Sequence, residues 1–138
     1  MIDFTSTYGM RVAQRLNDEI IIWLTTVRDD GAPLPSPVWF LWDGEAVLIY
    51  SKPNTPKLRN IARSQLVTLN FDGDGQGGNI IVLNGTAQID PAVPPANRDA
   101  AYLAKYEVGI AGIGMTPESF AAGYSVAIRV TPTSVRGH

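Results

Sequence analysis

The sequence predicts a mainly β fold of the α+β class: six antiparallel strands curled into a small barrel, with about four short flanking helices. Three observations predict it. Runs rich in β-branched and aromatic residues recur along the chain, separated by Gly, Pro, Asn and Asp clusters. The runs lie too close together for parallel crossovers, so the pairing is antiparallel. Several runs are apolar on both faces, which a closed sheet can bury.

The elements follow in order. Residues 9–19, GMRVAQRLNDE, predict a short amphipathic helix with Val12 and Leu16 on one face and Arg11, Arg15 and Asp18 mostly on the other. IIIWLTTV (20–27) predicts a buried strand, and Asp30-Gly31 in RDDGAP (28–33) marks a hairpin turn. The next strand is LPSPVWFLW (34–42). Pro35 and Pro37 cannot donate to a ladder, so this strand belongs at an edge or opening. Alternation places Val38, Phe40 and Trp42 on one side and Trp39 and Leu41 on the other. One apolar face serves the core; the other needs a partner, either a second subunit or a flat ligand.

Asp43-Gly44 turns the chain into EAVLIYS (45–51), and a helix follows over about 53–63, with Leu58, Ile61 and Ala62 facing inward. QLVTLNFD (65–72) is a strand, GDGQGG (73–78) a flexible Gly-rich loop, and NIIVLNGTAQID (79–90) a long strand with a bulge at Gly85. PAVPPANRDAAYLAKY (91–106) is a proline-rich turn that becomes a helix. Thr116 and Pro117 cap and open a second short helix, and YSVAIRV (124–130) is the last strand. The chain shows no internal repeat, and residues 1–138 are expected to form one domain.

Composition excludes several functions. The 138 residues carry 11 cationic and 13 anionic side chains, a net charge of −2, which argues against an electrostatic nucleic-acid binder. No apolar run reaches the length of a membrane span, and the first residues lack the pattern of a secretory signal, so the expected compartment is the cytoplasm. There is no cysteine, and the one histidine is His138. Thiolate chemistry, disulfides and Cys- or His-rich metal sites are excluded, and a Ser-His-Asp triad would need the last residue as its base. An enzyme with this inventory would draw its chemistry from a bound cofactor.

One stretch, YSKPNTPKLRNI (50–61), holds a physical contradiction. Thr55 sits at an N-cap and Pro56 at the first helical position, yet Lys57 and Arg59 follow, where the helix dipole disfavours cations. An anion such as a phosphate bound at this helix start would resolve it, drawing free N–H groups, Ser51 and the cations together. Otherwise the cations point into water at a screened cost of about 0.3–1 kcal/mol. GDGQGG lacks the ending of a P-loop and lies between strands, so it reads as a hairpin loop and not a phosphate cradle, although its glycines leave room for a flat ring to approach the backbone. Asp72 and Asp74 are taken as solvated turn residues, not a metal site. Arg129 and Arg136 flank the final strand, either exposed or within reach of a neighbouring subunit's ligand.

WLTTVRDDGAPLPSPVWFLWDGE, LIYSKPNTPKLRNIARSQLVTLNFDGDGQGG and IVLNGTAQID resemble the pyridoxamine 5'-phosphate oxidase-like split β-barrel superfamily over roughly residues 9–136. The blocks SPVWFLWDG, KLRNI, AKY, GMTPESF and RVTPTSVRG resemble more narrowly its actinobacterial branch that uses the deazaflavin coenzyme F420. The resemblance implies a homodimer with two cofactor sites at its interface. It implies that Ser51 and Lys57 hold the cofactor phosphate, with Arg59 and Asn60 as neighbours. Pro56 departs from the Arg that precedes this Lys in FMN enzymes. Ser36, Pro37, Val38 and Trp39 would lie along the ring, and Gly77, Gly78 and Asn79 would come from the other subunit. Lys52, Lys57, Arg59 and Arg63 are candidates for the polyglutamate tail of F420. The implied activity is hydride transfer from reduced F420 to an electron-poor small molecule, an enone or quinone for instance. The alternatives are an FMN-dependent oxidoreductase of the same fold, or a non-catalytic carrier of F420, flavin or haem. No catalytic side chain, proton donor or metal site is assigned.

Overall fold

The computed structural model describes residues 2–138. Helix α1 (Thr7–Asp18) is capped by Ser6, whose side chain accepts from Gly9 N, and it buries Val12 and Leu16 as its periodicity requires. Seven strands follow: β1 (Ile21–Val27), β2 (Pro33–Trp39), β3 (Leu41–Trp42), β4 (Val47–Ser51), β5 (Leu66–Asn70), β6 (Ile81–Ile89) and β7 (Val126–Gly137). They form one sheet in the order β2-β1-β5-β6-β7-β4-β3, and every pairing is antiparallel.

The two edge strands of that order, β2 and β3, are separated in the chain by Phe40 alone. The sheet must therefore curl until its edges approach each other at this residue. The expectation of six strands is corrected here to seven. Residues 34–42 do not stay on one partner: β2 pairs with β1, and past Phe40 the chain pairs with β4. Pro35 and Pro37 sit on the edge strand, where a missing N–H costs the ladder nothing on the open side. The bulge expected at Gly85 is present as a register shift between Asn84 and Gly85. A Cβ at Gly85 would stand 2.8 Å from the Thr131 carbonyl oxygen, so only glycine lets β7 approach. Strand β7 runs well beyond the expected 124–130, because pairing with β6 extends a segment whose own pattern is weak.

The alternation read over residues 38–42 holds. Phe40, with Val38 and Trp42, packs into the core enclosed by the curled sheet, beside Val12, Leu16 and Ile22. Trp39 and Leu41 face a second apolar cluster. The chain's own α3 (Ala100–Gly112) and α4 (Pro117–Gly123) cover part of that second face, for which the sequence predicts a second subunit or a flat ligand. Trp39 stacks on Tyr106 with ring centroids 4.8 Å apart and planes 13° from parallel. Such a pair adds about 0.5–1.5 kcal/mol beyond area burial. Helix α3 also satisfies the backbone at the corner. The Tyr106 hydroxyl accepts from Phe40 N at 2.8 Å, and Lys105 Nζ donates to Phe40 O at 2.9 Å.

Helix α2 (Pro56–Arg63) buries Leu58 and Ile61 as predicted, but Ala62 is exposed and Asn60 is buried in its place. No helix among the described residues is long and apolar enough to cross a membrane.

Candidate functional site

Strand β4 ends at Ser51, and α2 begins only a few residues later. Thr55 has the extended backbone of an N-cap, and Pro56 pre-sets the first turn, but the Thr55 side chain makes no capping bond. Its hydroxyl lies 3.1 Å from Ser51 Oγ, and Ser51 Oγ donates at 2.8 Å to the Lys52 carbonyl. With that proton committed, Thr55 is the donor to Ser51. Pro56 has no N–H, and Leu58 and Arg59 donate theirs to Thr55 O, so at the start of α2 it is the Lys57 N–H that has no cap, beside a serine that is 2% exposed.

Lys57 stands at the second position of this helix. It is half-buried, and no carboxylate pairs with it among the described residues. Burial holds its ammonium below the ordinary lysine pKa, since nothing nearby compensates the lost hydration. Ser51, Lys52, Thr55 and Lys57 form the polar end of a cavity of about 370 Å³. Pro37, Val38 and Trp39 from β2 line it too, and Tyr50, Tyr102, Phe120 and Tyr124 complete an aromatic wall. Lys52 Nζ lies 5.5 Å from the centre of the Tyr124 ring.

The structure thus brings Pro37, Val38, Trp39, Ser51, Lys52 and Lys57 to one cavity. Other residues singled out in the sequence lie elsewhere. Ser36 pairs across the ladder with Leu24 and does not line the cavity. Asn60 is 5% exposed and donates through Nδ2 to Thr26 Oγ1 at 3.0 Å. Arg59 Nη1 donates to Asn54 O at 2.8 Å, and Arg63 Nη2 to Val27 O at 2.6 Å. Arg59, Asn60 and Arg63 line a separate groove with Arg28 and Asp29.

Gly77, Gly78 and Asn79 belong to a loop organised around Asp74, whose Oδ1 accepts from Gln76 N at 2.7 Å and Gly78 N at 2.9 Å. These backbone bonds hold the Asp74 carboxyl below its usual pKa. Arg15 Nη1 donates to Asn79 O at 3.0 Å, and His138 Nε2 lies 2.7 Å from Gly77 O. Arg129 is bonded to Asp43 at 2.9 Å.

The aromatic wall was not singled out in the sequence. Its signal was present: Tyr102 and Tyr106 stand four apart in AAYLAKY and therefore share a helix face. Burial pushes the Tyr50 phenol up to about 12 and raises Tyr102 and Tyr106 further. All three stay protonated at neutral pH. A concave site with a flat aromatic wall, a basic rim and an uncapped helix start suits a planar molecule that carries an anionic arm.

A family model described as pyridoxamine 5'-phosphate oxidase matches residues 10–138. Among solved structures, an F420 reductase is 25% identical, covering 89% of this chain and 94% of that chain with a TM-score of 0.67. A conserved hypothetical protein from Mycobacterium tuberculosis is 21% identical, covering 96% and 83% with a TM-score of 0.70. A heme storage protein from Vibrio cholerae is 12% identical, covering 93% and 92% with a TM-score of 0.63. The last two share the fold alone. No curated protein matches the chain.

Proposed function

The chain belongs to the pyridoxamine 5'-phosphate oxidase family, and from that premise we propose that it is an F420-dependent oxidoreductase. Its substrate is an electron-poor small molecule with an activated double bond, an enone or quinone for instance. The observation that carries this reading is Lys57: a desolvated cation with no carboxylate, at an uncapped helix start, opening into an aromatic-walled cavity. That donor set fits a phosphate beside a flat ring. The 25% identity to an F420 reductase supports the deazaflavin over other rings.

When bound, reduced F420 supplies a hydride. The chain's own residues bind and orient. Lys57 would hold the phosphate, joined by Ser51 once its hydroxyl turns from the Lys52 carbonyl, and Pro37, Val38 and Trp39 would form the wall along the ring. Lys52 stands at the cavity rim, and Arg59 and Arg63 lie on the other side of α2 as further cations for the tail. The aromatic wall excludes water from one side of the ring, so that catalysis comes mainly from proximity and orientation. A second copy of the chain completes the site in a homodimer, bringing Gly77, Gly78 and Asn79.

A fluorescence titration of the apo protein with F420, and separately with FMN, tests the reading, since Trp39 lines the cavity and reports a ring arriving beside it. Tight F420 binding with substrate-dependent loss of reduced F420 is the expected result. Preference for FMN would make the protein a flavoenzyme of the same fold, and F420 binding without turnover would make it a carrier.

A further inference from the structure

Tyr50, Tyr102 and Tyr106 pack against one another on the outer face of the sheet, with ring centroids 4.9 and 4.8 Å apart in the two contacts. Their hydroxyls are treated differently. Tyr50 Oη donates to Pro94 O at 2.7 Å. Tyr106 Oη accepts from Phe40 N and lies 2.8 Å from the carbonyls of Phe40 and Ile20. Tyr102 is 0% exposed, and its Oη makes no hydrogen bond among the described residues.

A buried hydroxyl without a partner is destabilising by ~1–3 kcal/mol. Packing alone does not call for it, because Phe120 serves in the same cluster as a plain ring 6.0 Å away. Tyr102 also forms part of the cavity wall that Lys57, Ser51 and Trp39 share. We propose that Tyr102 is a binding residue of this cavity, its hydroxyl being the donor to a carbonyl oxygen of the molecule that enters. Lys57 then takes the anionic arm and Tyr102 the neutral acceptor, which fixes the molecule at two points. Burial keeps the phenol protonated, so the group donates a hydrogen bond and does not ionise. Tyr102 takes this role only if the cavity takes the ring proposed above. The carbonyl belongs either to that ring or to an enone or quinone substrate laid over it.

Tyr102→Phe separates these cases. The melting temperature of the apo variant is expected to equal or exceed that of wild type, because the lost hydroxyl has no partner. A fall of several degrees would mean a protein partner holds the hydroxyl, and would overturn the proposal with no ligand present. Next come titrations of both proteins with F420, and the kinetics of reduced F420 with 2-cyclohexenone and menadione. A roughly tenfold loss of F420 affinity places the carbonyl on the ring. Unchanged F420 affinity with a roughly tenfold higher KM places it on the substrate. If neither changes, Tyr102 is wall only, while wild-type binding leaves the F420 reading standing. If wild type binds neither F420 nor FMN, both the ring reading and the carbonyl assigned to Tyr102 fall.

Discussion

The two sides of helix α2 carry the same kinds of residue and do opposite things. On the groove side, Arg59, Asn60 and Arg63 are all hydrogen-bonded within the chain: to Asn54 O, Thr26 Oγ1 and Val27 O. On the cavity side, Lys57 is half-buried and has no carboxylate. A cation near a helix start is thus no sign of a site by itself. What separates Lys57 from its neighbours is that the fold leaves its charge uncompensated where it is partly withdrawn from water.

The largest effect should come from breaking the cavity side. Lys57→Ala removes charge-assisted contacts worth ~1.5–3 kcal/mol, so F420 affinity should fall about 10- to 150-fold. The melting temperature should hold or rise, because a desolvated ammonium is lost. Titration and melting on the same preparation check both parts. Unchanged affinity would place the anion elsewhere and erase the difference between the two sides.

Asn60→Ala is the matching break on the groove side. Thr26 Oγ1 loses its donor in a buried place, and a small cavity opens beside it. The expected loss is ~1–3 kcal/mol of stability, read as a lower denaturant midpoint at unchanged m. Any loss of F420 affinity should be far smaller than that of Lys57→Ala. A large affinity loss with full stability would return Asn60 to the binding site.

The fold was legible where one period dominates, and obscure where tertiary pairing decides. The alternation through Val38, Trp39, Phe40, Leu41 and Trp42 predicts both apolar faces, and the structure buries Phe40 in one cluster and packs Trp39 into the other. That the strand changes partners at Phe40 follows from the curl of the whole sheet, which no local pattern encodes. The long β7 was hidden for the same reason. Helix spacing marked Ala62 as inward, but Asn60 took the buried place because Thr26 on β1 offers it a partner across the fold. At the site, the helix-start chemistry was visible in SKPNTPK, whereas the wall of Tyr50, Tyr102, Phe120 and Tyr124 depends on α3 and α4 folding back over the sheet.

A smaller effect concerns pH. An anion bound beside Lys57 raises its depressed pKa toward or above the ordinary 10.5, so binding takes up protons between the depressed value and that limit. Affinity is therefore full below the free protein's Lys57 pKa and falls as pH rises through the window. In Lys57→Ala this alkaline slope should disappear. Titrations at stepped alkaline pH, or calorimetry in two buffers of different ionisation heat, measure it. A slope that survives in the variant would assign the proton to another group.

The smallest effect is expected from Arg59→Ala, and it sharpens the comparison most finely. Arg59 is exposed, and its one bond is to the carbonyl of Asn54. Its removal should change stability by no more than ~0.5 kcal/mol. Toward a phosphate held by Lys57 it contributes nothing, because it lines the other groove. Toward a long anionic tail that passes over α2 it would act as a screened surface charge, worth about twofold in affinity at low salt and less at high salt. FMN has no such tail, so its affinity should not move. Parallel titrations of wild type and Arg59→Ala with F420 and FMN, each at two ionic strengths, resolve a twofold change. A salt-sensitive loss confined to F420 would make the groove side an outer track for the tail. Equal losses for both ligands would mean that Arg59 acts through α2 itself, and that the two sides of the helix are less independent than their hydrogen bonds indicate.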